Sequence, residues 1–150
     1  MEVLPVFSLE RRKALVVGGA GGGIGSAITH SLAQAGAHVS VITNDTSHAD
    51  SIHSEAKERG HDIHCHIKDV TDLKAFTTTV DDVIAANGSI HHLVNVVGGA
   101  EVRDWSRAKD YELEMFDRIM TRNLRYALIS CQRIASSLIS GSTAGSIVNI

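Results

Sequence analysis

The chain has 150 residues, 43% of them hydrophobic, enough to pack one domain, and no Pro/Gly/Ser-rich stretch divides it. A formal net charge of −3 argues against a nucleic-acid or anionic-membrane partner, and no apolar run approaches the ~20 residues of a helical membrane span. Two cysteines, Cys65 and Cys131, form no CxxC pair or framework, and the N-terminus lacks a signal-peptide core, so a reducing, cytoplasmic setting is expected.

Residues 1–12 show no clear period and read as a poorly ordered lead-in to a domain over 13–150. Lys13 to Val17 is a short apolar run ending in glycine, the pattern of a buried strand. Ile24, Ala27, Ile28, Ser31, Leu32 and Ala35 then recur at helical spacing and predict one helix face, stopped by Gly36. His38 to Thr43 predicts a second strand. Residues 48–59 predict an exposed helix closed by Gly60, and Asp62 to Ile67 a third strand. Asp72 to Ala86 predicts a third helix ended by Asn87-Gly88, and Ile90 to Val97 a fourth strand. Tyr111 to Ile139 reads as one long helix, with Leu113, Phe116, Met120, Leu124, Ala127, Cys131, Ile134 and Leu138 on or near one stripe. Gly145 opens a fifth strand.

Strands alternate with helices and are continuous apolar runs, which is the mark of a parallel sheet covered on both faces. Right-handed crossovers then favour an α/β, Rossmann-like, doubly wound sheet of order 3-2-1-4-5. Strands one and four flank its switch point. Two glycine-rich loops, residues 18–25 and 98–99, leave strands at that edge.

The first loop places five glycines among the six positions from Gly18 to Gly23. A turn almost without side chains lets a bulky anion approach backbone N–H groups at a helix N-terminus. The spacing fits Gly19-x-x-x-Gly23-x-Gly25 better than GxGxxG, and no lysine follows as in a P-loop.

With these residues the chain resembles the short-chain dehydrogenase/reductase family from about Lys13 to Ile150. The family's TGxxxGxG appears as Gly18-Gly19-Ala20-Gly21-Gly22-Gly23-Ile24-Gly25. Its acidic residue after strand three appears as Asp69-Val70, and its NNAG as Asn95-Val96-Val97-Gly98. Its helix asparagine appears as Asn123, and Gly145 to Ile150 resembles the strand leading to the catalytic serine. The resemblance implies an NAD(P)-dependent oxidoreductase that transfers hydride between a carbonyl and an alcohol. It implies that Gly19, Gly21, Gly22, Gly23, Ile24 and Gly25 surround the pyrophosphate. Asp69 and Val70 would meet the adenine, and Asn95, Val97 and Gly98 would line the ribose and nicotinamide floor. Asn123 would order a water chain to the catalytic lysine. Two departures stand out: Gly18 lacks the usual threonine hydroxyl, and Val96 replaces the second asparagine, which together imply a looser or altered join between strands one and four.

The choice between NAD and NADP stays open. An acid at the end of strand two would hold the ribose 2′-OH and repel a 2′-phosphate. The matching positions are Thr43 and Asn44, with Asp45 two places late; it could bend back to the ribose and, compatibly, it or Thr46 would cap the next helix. His64 and His66 share a strand face, but no third and fourth ligand stands in register, so no metal site is expected. His91 and His92 are expected at the far edge of the sheet. Cys131 reads as an inert core thiol. Trp105 and Val102 lie in a charged loop at the ligand edge, either touching substrate or merely anchoring that loop. Tyr111 and Tyr126 lack a lysine four residues on.

Carbonyl reduction also needs a proton relay, which the resemblance assigns to a Ser–Tyr–Lys set expected past Ile150. The chain therefore reads as an N-terminal cofactor-binding part, truncated after about strand five, with an exposed apolar edge on that strand. Alternatives are a non-catalytic dinucleotide-binding module or one half of a split protein. A small-molecule substrate is expected, and, by analogy, pairing of residues 126–138 with a second subunit in the full-length protein.

Overall fold

The structure, a computed structural model, describes residues 5–150, so residues 1–4 of the lead-in lie outside the described residues. Five strands form one parallel sheet: β1 (Lys13–Val17), β2 (His38–Thr43), β3 (Ile63–Ile67), β4 (His92–Asn95) and β5 (Ser146–Asn149). Their order is β3-β2-β1-β4-β5, as the alternating pattern predicts. The connections run through α1 (Gly23–Gln34), α2 (Thr46–Arg59), α3 (Leu73–Asn87), α4 (Leu113–Met120) and α5 (Tyr126–Ser140).

Two hydrophobic layers follow from the strand alternation. Ala14 and Val16 of β1 and Val39 and Val41 of β2 pack with Ala33, Ile52 and Ala56 of α1 and α2. Leu15, Val17, Ile42 and Leu93 point the other way, against Phe76, Val80 and Val83 of α3 and Tyr126 and Ile134 of α5. The central strands are covered on both faces, which is why Ala14 to Val17 of β1 is an unbroken apolar run and why β2 is apolar on both sides of its buried Ser40.

Helix ends follow local chemistry. Asp45 caps α2, accepting from the backbone N–H groups of Ser47 (2.7 Å) and His48 (3.2 Å), and Asp72 caps α3 through the Ala75 N–H (3.1 Å). Gly60 ends α2 at φ 67°, a left-handed position that costs glycine little.

Four expectations need correction. Residues 9–12 are held in place: the Leu9 N–H donates to the Ala35 carbonyl (2.7 Å), and Leu9 packs against the first layer. The buried face of α1 is centred one position on, at Gly25, Thr29 and Ala33, with Ile28 and Leu32 at its margin and Ile24 62% exposed. Close approach of Gly25 to the loop before α1 sets that rotation, as a Cβ there would overlap the Gly18 carbonyl oxygen. The long helix is continuous from Leu113, but Thr121–Arg125 is a π turn. The extra residue shifts the phase of the stripe. Beyond the turn Tyr126, Ser130, Ile134 and Leu138 are buried, while Leu113, Phe116 and Leu124 are exposed. β4 is also shorter than expected, ending at Asn95, although the Val96 N–H still reaches the Val17 carbonyl (2.9 Å).

Candidate functional site

The site begins where β1 runs out. The Gly18 N–H makes a last sheet bond to the Ile42 carbonyl (2.8 Å), and Gly18 then turns at φ 89°. At Gly19 a Cβ would lie 2.5 Å from Thr29 Oγ1 and 2.9 Å from a Val16 methyl. Buried Thr29 donates its hydroxyl to the Gly19 carbonyl (2.9 Å), tying the loop to α1 from beneath. Gly22 and Gly23 adopt φ 78° and 55°, and a Cβ on either meets no atom within 4 Å. Glycine is thus required inside the turn by packing, and outside it by backbone conformation alone. The outer surface is left open over the start of α1, whose N-cap Gly22 offers no side-chain bond. The Gly22 N–H itself donates to Ser26 Oγ (2.9 Å). The first N–H groups of α1 have no intrahelical acceptor and face this open side with the positive end of the helix dipole.

Beyond the carboxyl ends of β1, β2, β3 and β4 lies a cleft of about 680 Å³, within the usual range for a small-molecule site. Of the residues assigned to a nucleotide, Gly21, Thr43, Asn44, Asp69, Val70, Val97 and Gly98 line it. Gly19, Gly22, Gly23, Ile24 and Gly25 form the turn at its mouth rather than its lining. Asp69 accepts at one oxygen, Oδ1, from both the N–H and the hydroxyl of Thr71 (2.8 Å each), leaving Oδ2 for a further donor. Beneath it Val70 is buried in the core layer.

Asn95 is placed differently. Its side chain is buried and turns under the sheet end: Nδ2 donates to Asn149 Oδ1 (2.8 Å), and Oδ1 accepts from the Ser130 hydroxyl (2.9 Å). It therefore ties β4 to β5 and α5, and does not line the cleft. Asn123 lies in the π turn and clamps the second glycine loop. Its Oδ1 accepts from the Gly99 N–H (2.7 Å), and its Nδ2 donates to the Gly99 carbonyl (3.0 Å) and to Ile119 (2.8 Å). A Cβ on Gly98 would stand 3.0 Å from that oxygen. The join between the first loop and the β4 loop is altered rather than loose, because a Cβ on Gly18 would lie 2.7 Å from a Val97 methyl. Val97 occupies the space that a threonine would need.

Asp45 caps α2. The Ser47 hydroxyl and the His48 and Ser47 N–H groups hold its carboxyl below the usual range. Trp105 and Val102 are 76% and 89% exposed and do not line the cleft. Their loop is anchored by a residue that sequence reasoning missed. Asp104 is buried, accepts from the Glu101 N–H (3.1 Å) and pairs with Arg118 (3.1 Å). Burial opposes its charge, but these partners outweigh it and its carboxyl titrates below the ordinary value. Glu101 binds Arg122 and Arg103 in the same network. The sequence signal for Asp104 is weak, an acid in a charged loop with its arginine 14 residues on. Tyr126 is a core residue: its hydroxyl donates to the Val97 carbonyl (2.7 Å), and burial pushes its pKa up to about 12. Cys131 is only half-buried, within reach of the side-chain amides of Asn95 and Asn149.

A doubly wound parallel sheet with a glycine turn and a cleft at its switch point defines the class of α/β proteins that bind ligands beyond the carboxyl ends of their strands. Within it, residues 13–150 match the short chain dehydrogenase model, and the chain belongs to that family. It is 32% identical over 144 residues to a short chain dehydrogenase/reductase, dpchG, of Colletotrichum higginsianum, covering 95% of this chain and 52% of that protein. It is 27% identical to the 7alpha-hydroxysteroid dehydrogenase of Bacteroides fragilis, covering 92% and 53%. Among solved structures, a Mycobacterium marinum short-chain type dehydrogenase/reductase superposes with a TM-score of 0.86 at 26% identity, over 99% of this chain and 59% of that one. A Beutenbergia cavernae protein provisionally described as an NAD(P) dependent gluconate 5-dehydrogenase, with NADP bound at low occupancy, gives 0.84 at 29%, over 95% and 55%. The chain spans about half the length of these two curated relatives.

Proposed function

We propose that this chain supplies the dinucleotide-binding half of an NAD(P)-dependent short-chain dehydrogenase/reductase that interconverts a carbonyl and an alcohol. The observation that carries the reading is the open glycine turn over the uncapped start of α1, at the mouth of a cleft lined by the ends of four parallel strands. The residues fit a diphosphate: the Gly22–Gly23 cradle is free of side chains, and the N–H groups from Gly23 onward and the helix dipole face it, while the Gly22 N–H is held by Ser26. Asp69 Oδ2 and the Val70 backbone would meet the adenine, and Val97 and Gly98 the ribose side. When bound, the nicotinamide supplies or accepts the hydride. Asn123 acts as a positioning residue, holding Gly99 and with it the floor beside Gly98.

At the end of β2 the cleft presents Thr43 and Asn44, while the carboxylate of Asp45 is engaged in its cap. Lys68 and His48 stand on the same walls. A 2′-phosphate therefore meets no aimed carboxylate, and NADP(H) binds at least as well as NAD(H). Titration of the chain with NADPH and with NADH, read by nicotinamide fluorescence, tests both statements. No change with either at millimolar ligand overturns the reading, and a marked preference for NADH overturns the cofactor statement. Gly23→Val abolishes the response, because a branched side chain fills the cradle and strains a backbone at φ 55°.

A further inference from the structure

The far end of the sheet, where the strands begin, carries a second constellation. Sequence spacing pairs His64 with His66, but the sheet register pairs His64 with other residues. Val39 stands opposite Ile63, so His38 faces Asp62 across β2 and β3, and His64 follows two places along β3 on the same side. His38 Nδ1 lies 2.6 Å from Asp62 Oδ2, and His64 Nε2 lies 3.1 Å from Asp62 Oδ1. The two imidazole rings are 4.9 Å apart.

We propose that His38, Asp62 and His64 form a binding site for a divalent first-row transition ion of the zinc, cobalt or nickel kind, bridging β2 to the edge strand β3. One donor atom from each residue lies within 4.8 Å of the other two. Donors around a tetrahedral ion at a bond length of about 2.0–2.1 Å stand roughly 3.3 Å apart. Small rotations of exposed side chains close that gap, with no movement of the strands. Two imidazoles and one carboxylate suit borderline ions, whereas calcium and magnesium need a shell of oxygens. His38 is the most sheltered ligand at 30% side-chain exposure, against 64% for Asp62 and 63% for His64. The outer side is therefore open to water as the remaining ligand. Without an ion the same carboxylate accepts hydrogen bonds from both rings. Binding replaces those bonds and clamps the open edge of the sheet, so it stabilises the folded chain in proportion to ion occupancy.

The test is titration of the metal-stripped chain with Co2+, followed by visible ligand-field absorption, and with Zn2+, followed by thermal melting. One Co2+ per chain and a Zn2+-dependent rise in Tm are expected. His64→Gln and Asp62→Asn each weaken Co2+ binding by roughly tenfold or more. His53→Gln, on the exposed face of α2, leaves it unchanged. X-ray absorption of the unsubstituted chain loaded with one Zn2+ reads two imidazoles, which keeps the site testable should a variant fail to fold. Co2+ binding unaltered by His64→Gln overturns the proposal. So does weak binding spread over several of the nine histidines and sensitive to His53→Gln, or a shell with fewer than two imidazoles. Loss of nucleotide binding would leave these readouts untouched, because the two sites lie at opposite ends of the strands.

Discussion

The starts of α1 and α2 are built from the same backbone and end in opposite conditions. Both follow a strand of the sheet, and both present unpaired N–H groups and a positive dipole end. At α2 the carboxylate of Asp45 takes the first N–H groups, so the helix satisfies itself. At α1 the cap is a glycine without a side-chain bond, and the turn before it is bare. A helix end left open beside a cleft is available to a ligand, whereas one closed by its own aspartate is available only to itself. The glycines do not all serve that openness. Gly19 and Gly25 lie in the packed interior of the turn, and Gly22 and Gly23 form its empty exterior.

Substitutions separate the two roles. Gly25→Val has the largest effect, because its side chain would meet the Gly18 carbonyl: a loss of about 2–4 kcal/mol in chemical denaturation is expected, and wild-type stability would break the distinction. Thr29→Val keeps the shape but removes the donor to Gly19. It is expected to cost about 1–2 kcal/mol and to weaken nucleotide binding through the loosened loop; a variant unchanged in both would show that the hydroxyl holds nothing. Asp45→Ala sharpens the contrast from the other side. It removes the cap of α2 and lowers Tm by a few degrees, yet NADPH still binds; lost binding would place Asp45 in the nucleotide site.

The smallest expected effect is on pH. His61, His91 and His92 have folded pKa values below the ordinary 6.5, first because burial disfavours their charge and then because of neighbouring cations. The unfolded chain therefore binds more protons in the window below 6.5. Stability is level above that value and falls as the pH drops through the folded pKa values. Melting at about pH 7.5 and about pH 5.5 checks the sign, and a higher Tm in acid would contradict it.

The two ends of the sheet differ in how readily sequence reveals them. The glycine turn is legible because five glycines in six positions form a local signal, and the strand before it and helix after it are local too. Cleft residues at strand ends, such as Thr43 and Asp69, follow from the ends of the apolar runs of β2 and β3, whereas Val97 follows from the family resemblance, because the run of β4 overshoots the strand. Side-chain direction is less legible. Asn95 sits at the matching position, yet Ser130 and Asn149, 35 and 54 residues away, turn it inward. Asp104 is hidden for the same reason, because only folding brings Arg118 beside it.

Sequence by itself determined the α/β alternation, the sheet order and the place of the glycine turn. Those depend on hydrophobic period, right-handed crossover and the missing Cβ of glycine, all properties of short segments. Tertiary structure alone decided which face of α1 is buried, where the π turn shifts the long helix, and that His38 meets Asp62 and His64. The first follows from the close approach of Gly25 to Gly18, a packing contact that helical period does not encode, and the last from cross-strand register, which exists only once the strands have paired.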